Sequence, residues 1–164
     1  MAFTTPLDSR QIQNQFVTFL ETNLTDPYEQ ATSNTRTNFV YGDDFKLVGL
    51  FPKIHVDISD FIPNKVAVQS KTAYMEEEEH HFMIYYHNQK GHKYTFADNS
   101  LTLSDEAQCR KYLQYIRDTI KANATEFNDY CHRITFGTIP KPVFHNSSRT
   151  FVSFLPVLCY TYRR

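Results

Sequence analysis

Residues 74–88 read YMEEEEHHFMIYYHN: four carboxylates, two imidazoles, then an apolar and aromatic run. From His81 to His87 the side chains alternate with a period of two. Phe82, Ile84 and Tyr86 share one face and Met83 and Tyr85 the other, as a strand requires. Residues 66–74 form a second extended run just before it. Four adjacent carboxylates repel one another unless solvated. Glu76, Glu77, Glu78 and Glu79 therefore suit a hairpin tip or an extended arm, between the strands or at the start of the second, better than a packed sheet.

Working outward, Phe51-Pro52-Lys53-Ile54-His55-Val56-Asp57-Ile58 alternates in the same way, with Ile54, Val56 and Ile58 on the buried side and Lys53, His55 and Asp57 on the other. At the N-terminal end, Asp8 with Gln11 three residues later forms a capping box. Ile12, Phe16, Phe19, Leu20 and Leu24 then recur on one face of a helix predicted over 9–23. The polar residues 25–38, with Pro27, read as a loop long enough to be mobile or ordered only by a partner.

Beyond the central stretch, Asn88-Gln89-Lys90-Gly91 is a turn signal, and Lys93 to Phe96 extends briefly before a loop around Asp98-Asn99. A long helix is predicted over 105–122. Ser104 is its expected cap, Asp105 and Glu106 sit at its positive end, and Arg117 and Lys121 toward its negative end. Cys109, Tyr112, Leu113, Ile116 and Ile120 form its apolar stripe. Residues 132–139 and 150–162 read as a closing strand pair, with Pro156 placing the last strand at an edge or at a bulge. The order of elements predicts one α+β domain over 1–164, a mostly antiparallel sheet with helices packed on one face and a long hairpin.

Composition narrows the function. Seventeen Lys and Arg against 18 Asp and Glu leave a net charge of -1, without the basic field that non-specific nucleic-acid binding needs. With 14 Phe and 11 Tyr, the apolar material is large and flat, suited to sheet faces and interfaces. Cys109, Cys131 and Cys159 are odd in number and lack CxxC spacing, so they read as reduced core thiols. No signal peptide or membrane-length apolar run is present, so the expectation is an intracellular chain with unused sequons at Asn23, Asn123 and Asn146.

The reactive readings are weaker than the solvated one. Glu77, Glu79 and His81 fall on one side of a strand and His80 on the other, but no HExxH accompanies them. A nuclease pairing of Asp57 or Asp60 with Gln69-Ser70-Lys71 lacks its second acid, because Gln69 occupies that place. Cys131 and His132 point apart on a strand, and the four glycines build no phosphate loop. Phe136, Phe144, Phe151, Phe154, Tyr160 and Tyr162 lack the basic companions of a base-stacking surface and read as core plus interface. Arg163 and Arg164 form a basic tip, a candidate for docking on an acidic neighbour.

The amphipathic N-terminal helix, the aromatic-Pro-x-Ile-x-Val strand at 51–56, the hairpin, the helix Glu106-Ala107-x-x-x-x-Tyr112-Leu113-x-x-Ile116-Arg117-x-x-Ile120 and the closing strand pair recur here in order. From about Ser9 to Tyr162 this pattern resembles the tail-completion and tail-terminator proteins of tailed viruses. The loop over 25–50 and the acidic hairpin are longer than a minimal subunit of that kind requires.

The resemblance implies a non-enzymatic virion protein at the head-tail neck, formed in the host cytoplasm and needing no cofactor or membrane. It implies a homo-oligomeric ring, six-fold or a related cyclic number, that joins connector to tail tube while DNA passes through without sequence-specific binding. Glu76, Glu77, Glu78 and Glu79 are then candidates to line the channel or dock a neighbour. The competing expectation is a small metal-dependent hydrolase or nuclease using Asp57, Glu77, Glu79 and His81.

Overall fold

Asp8 starts the first helix as its spacing predicts: its carboxylate accepts from the Gln11 amide at 2.9 Å while the Gln11 side chain accepts from the Asp8 amide at 3.0 Å. The computed structural model describes residues 8–59, 66–69, 74–98, 100–127 and 131–163, with 66–69, 74–78 and 162–163 described by strand and register. Of the positions singled out above, Asp60, Ser70, Lys71, Asn99 and Arg164 lie outside the described residues, as do residues 70–73 of the expected strand.

Helix α1 (Ser9–Asn23) buries Ile12, Phe16, Phe19 and Leu20, the stripe read from its periodicity. A second, short helix α2 (Pro27–Thr32) stands where a loop was expected. The strands that follow are β1 (Val40–Tyr41), β2 (Lys53–Ile58), β3 (Val66–Gln69), β4 (Tyr74–Gln89), β5 (Lys93–Thr95) and β6 (Thr102–Ser104). Then come α3 (Asp105–Ala122), a 3-10 turn at Ala124–Phe127, and β7 (Arg133–Phe136), β8 (Val143–His145) and β9 (Thr150–Arg163).

The main sheet runs β1-β2-β4-β9-β7, with β3 alongside β4 and β8 alongside β9; β5 and β6 pair separately. Every pairing is antiparallel except β1 with β2. The fold is α+β, as the order of elements predicts. α1 lies against β1 and β2, and α3 against β4 and β9. One core joins them: Ile54 and Val56 of β2, Phe82, Ile84 and Tyr86 of β4, and Leu155, Val157 and Cys159 of β9 meet the apolar stripes of both helices. Tyr86 stacks on Tyr112 with centroids 4.3 Å apart, and Phe16 packs on Phe82 and Phe127.

Polar side chains on the helices and strands also tie the layers together. Gln13 of α1 donates to the Val56 carbonyl at 2.8 Å, Glu21 accepts from the Phe39 and Val40 amides, and the Tyr86 hydroxyl donates to Gln108 at 2.8 Å. Each bond ties a helix to a strand or to the loop that leads into one.

Three local expectations are corrected. Ser104 makes no side-chain cap; the next residue, Asp105, takes a left-handed φ of 53° and its carboxylate accepts from the Gly91 amide at 2.8 Å. The turn after β4 thus recruits the carboxylate that begins α3. Pro156 is neither at an edge nor bulged out, because β9 has β4 on one side and β7 and β8 on the other. It is tolerated there because β7 ends at Phe136 and β8 begins only at Val143, leaving the ladder open where proline lacks an N–H. Gly137 donates to the Pro156 carbonyl at 2.9 Å in that gap.

The third correction concerns α2. Residues 25–38 are ordered by contacts within the chain. Asp26 caps the helix through the Tyr28 amide, Gln30 exchanges two hydrogen bonds with Thr95 of β5, and His92 meets the Pro27 carbonyl at 3.0 Å. Six helical residues are too few to stand alone, so these tertiary bonds decide the conformation.

Candidate functional site

The acidic run lies in neither a tip nor a loop. Residues 76–79 sit inside β4, opposite Arg163, Tyr162, Thr161 and Tyr160 of β9, and Glu76 and Glu77 also face Ala67 and Val66 of β3. Of the placements expected, the run takes the start of the second strand, and it is paired there because β9 is long enough to accompany β4 along its whole length. Arg163, read as a docking tip, has Glu76 of its own chain as its register partner.

β2 pairs with β4 only as far as Phe82, so β4, β9 and β3 continue as an arm beyond it. Where the arm leaves the body, His80 is buried between Ser9 at the start of α1 (2.8 Å) and Thr161 of β9 (3.1 Å). On the opposite face Glu79 reaches His81 at 3.2 Å, and Arg133 lies over the Tyr160 ring at 3.9 Å.

Of the metal-site candidates, Asp57 pairs in register with Met83 and lies 4.0 Å from His55, while Glu79 meets His81 at 3.2 Å; the Glu77 side chain lies outside what is described. Among the described residues no three His, Cys, Asp or Glu side chains are grouped to hold an ion. Cys131 and His132 likewise form no reactive pair: the Cys131 amide bonds back to Phe127 and the His132 amide bonds to Tyr160.

The helix-free face of the sheet carries a feature that the alternation of β2 did not reveal. Phe45, from the segment between β1 and β2, lies flat on His55 (4.4 Å, 5°) and on His87 (4.7 Å, 27°), and Tyr85 continues the layer toward Phe154. Lys53, expected on a solvated face, is buried with these rings. A cleft of about 570 Å³ opens between Phe45 and Leu47 on one side and His145, Ser147 and Ser148 on the other.

Burial sets the charge of this face. It pushes the His87 imidazole down to about 3, helped by His55, His145 and Lys53 nearby. His55 is also lowered by burial, against the opposing pull of Asp57, Asp43 and Asp44. Both imidazoles are therefore neutral at pH 7. The two imidazoles thus pack as uncharged rings beside the Lys53 ammonium.

Two buried cations hold the segment that covers it. The Lys53 ammonium donates to the carbonyls of Lys46 and Val48, and Arg36 donates to those of Leu50 and Pro52 while gripping Asp26. Tyr41, Phe45 and Phe51 surround the ammonium at 5.1 to 5.8 Å. With its carbonyls turned inward, the loop presents Leu47, Val48 and Leu50 outward, each more than half exposed. Val143 and Phe144 of β8 are exposed beyond the cleft. Surface apolar side chains on a pre-shaped loop are what a docking surface needs. One sequence signal marks it: Phe45, Leu47, Val48, Leu50 and Phe51 crowd a stretch without strand alternation.

The sequence matches no protein-family model and no curated protein.

Proposed function

We propose that this chain is a structural subunit of a tailed-virus neck, a tail-completion or tail-terminator protein that forms a ring, six-fold or of related cyclic number, between connector and tail tube. The observation that supports this reading best is the arm. Residues 74–81 of β4 run beyond the last β2 partner for roughly 25 Å at about 3.3 Å per residue, accompanied by β9 and β3. Strands that outrun the body add little to its own core and much to a neighbour's.

The acidic run on this arm suits a channel that passes DNA, because phosphates are repelled rather than held. The pinned loop with Leu47, Val48 and Leu50 supplies apolar contact for adjacent subunits or for connector and tube proteins. Assembly takes place in the host cytoplasm, and the finished ring resides in the virion.

The test is the mass of the particle. Native mass spectrometry of the chain alone and of virions carrying it should give a closed ring of 19.3 kDa subunits, free or in the neck. Replacing Glu76, Glu77, Glu78 and Glu79 together by Gln should leave the subunit folded and change docking or DNA passage. A monomer at every concentration that never co-purifies with particles would overturn the proposal. Stoichiometric manganese or zinc binding with hydrolytic activity would put the metal-dependent hydrolase in its place.

A further inference from the structure

The floor of the cleft on the helix-free face is built by neighbouring strands in register. His55 of β2 lies beside Tyr85 of β4, and His87 of β4 beside Val152 of β9. Phe45 closes one side, flat on both imidazoles. Phe45 and Tyr85 are only half-buried, so part of each ring meets the opening. The other side is polar. His145 ends β8 opposite Thr150 of β9, and the turn between them carries Ser147 and Ser148. The Ser148 and Thr150 hydroxyls meet at 2.7 Å.

His87 is 7% exposed in this floor, and among the described residues neither of its ring nitrogens has a hydrogen-bond partner. A buried polar group left unpaired is costly, so a guest that supplies the missing bond gains by doing so. Burial keeps His87 neutral, and a neutral imidazole donates from one nitrogen and accepts at the other. A hydroxyl does both and therefore fits either tautomer. Asp57, its side chain 45% exposed at the rim, accepts only and needs a donor. No lysine or arginine is among the described residues lining the cleft, and the nearby Lys53 ammonium is committed to the Lys46 and Val48 carbonyls. An anion thus finds no counter-charge. A cation finds the Phe45 ring already shared with that ammonium, 5.8 Å from its centroid.

We propose that the cleft is a binding site for a neutral saccharide, a pyranose that lays its C–H face on Phe45 and Tyr85 and presents hydroxyls to Asp57, His87 and Ser147. Small hydrogen-bonding groups set around flat rings match a ligand with an apolar face and a hydroxyl rim. The volume of about 570 Å³ falls within the range of small-molecule sites and has room for a disaccharide. Every lining residue comes from one chain, so the site does not depend on assembly into a ring.

The test is saturation-transfer NMR of the full chain with maltose, cellobiose, lactose, chitobiose and mannobiose, followed by titration of whichever sugar binds. The expected result is transfer to the C–H protons of at least one of them, with millimolar or tighter affinity. Asp57→Ala and His87→Phe should each weaken that binding by about tenfold, because each removes a bond to a sugar hydroxyl. Glucuronic acid and glucosamine should bind less well than glucose. If His87→Phe fails to fold, Asp57→Ala and Ser147→Ala at the open rim decide. No transfer to any of these sugars, tighter binding of the charged sugars or of phenol, or an affinity unchanged in the rim variants would each overturn the assignment.

Discussion

The Arg36 guanidinium grips both carboxylate oxygens of Asp26, Nε to Oδ2 and Nη2 to Oδ1 at 2.7 Å each, with the two side chains only 7% and 5% exposed. The pair closes α2 and, through the Leu50 and Pro52 carbonyls, holds the loop over the sheet. Removing one partner strands a buried charge, so Asp26→Ala or Arg36→Leu should destabilise the fold by about 3–5 kcal/mol in urea unfolding. The double variant should cost less than the sum of the singles. Additive losses would mean that the charges are independently solvated.

His87 is 7% exposed, and among the described residues neither ring nitrogen has a hydrogen-bond partner. Its folded pKa, about 3, lies below the ordinary value of 6.5. Between those values the unfolded chain binds the proton and the folded chain does not, so this contribution to stability is complete above pH 6.5 and is lost as pH falls toward 3. At pH 5 the loss is about 2 kcal/mol relative to pH 7. His87→Phe should flatten that part of the stability–pH curve and cost little at pH 7, since no bond is removed. An unchanged slope in the variant would show that His87 is not the titrating group.

A Cβ added at Gly137 would stand 2.8 Å from the Pro156 Cβ and 3.0 Å from its Cγ. Gly137→Ala should therefore destabilise by roughly 1–3 kcal/mol, because β7 and β9 must separate where the ladder is already open. Pro156→Ala in the same chain should recover part of the loss. Chemical denaturation of the four-member cycle measures the coupling, and zero coupling would refute the contact.

Leu47, Val48 and Leu50 face outward from a loop whose carbonyls are bound by Lys53 and Arg36. Replacing all three by Ser should move stability by no more than about 0.5 kcal/mol per site while reducing ring formation or incorporation into particles. Sedimentation of the variant beside the wild-type chain checks both. A variant that assembles normally would remove this loop from the docking surface.

Local chemistry alone determined much of this protein. The Asp8–Gln11 box and its apolar stripe are enough to predict α1 at Ser9–Asn23, and the stripe from Cys109 to Ile120 is enough for α3, because hydrogen bonds and burial within a helix repeat every three to four residues. The alternations in β2 and β4 likewise show which side of each strand meets the core.

What only the tertiary structure decided depends on partners distant along the chain. By their charge residues 76–79 read as a hairpin tip or an extended arm, and they join a ladder because β9 arrives from some 80 positions away. The loop after β1 reads as a connection, but Phe45 becomes a lid on His55 and His87, held by Lys53 and by Arg36. Pro156 reads as an edge marker, yet it is interior because its missing donor falls opposite a break between two short strands. Periodicity records which way a side chain points, whereas its environment is set by which distant segment arrives to cover it.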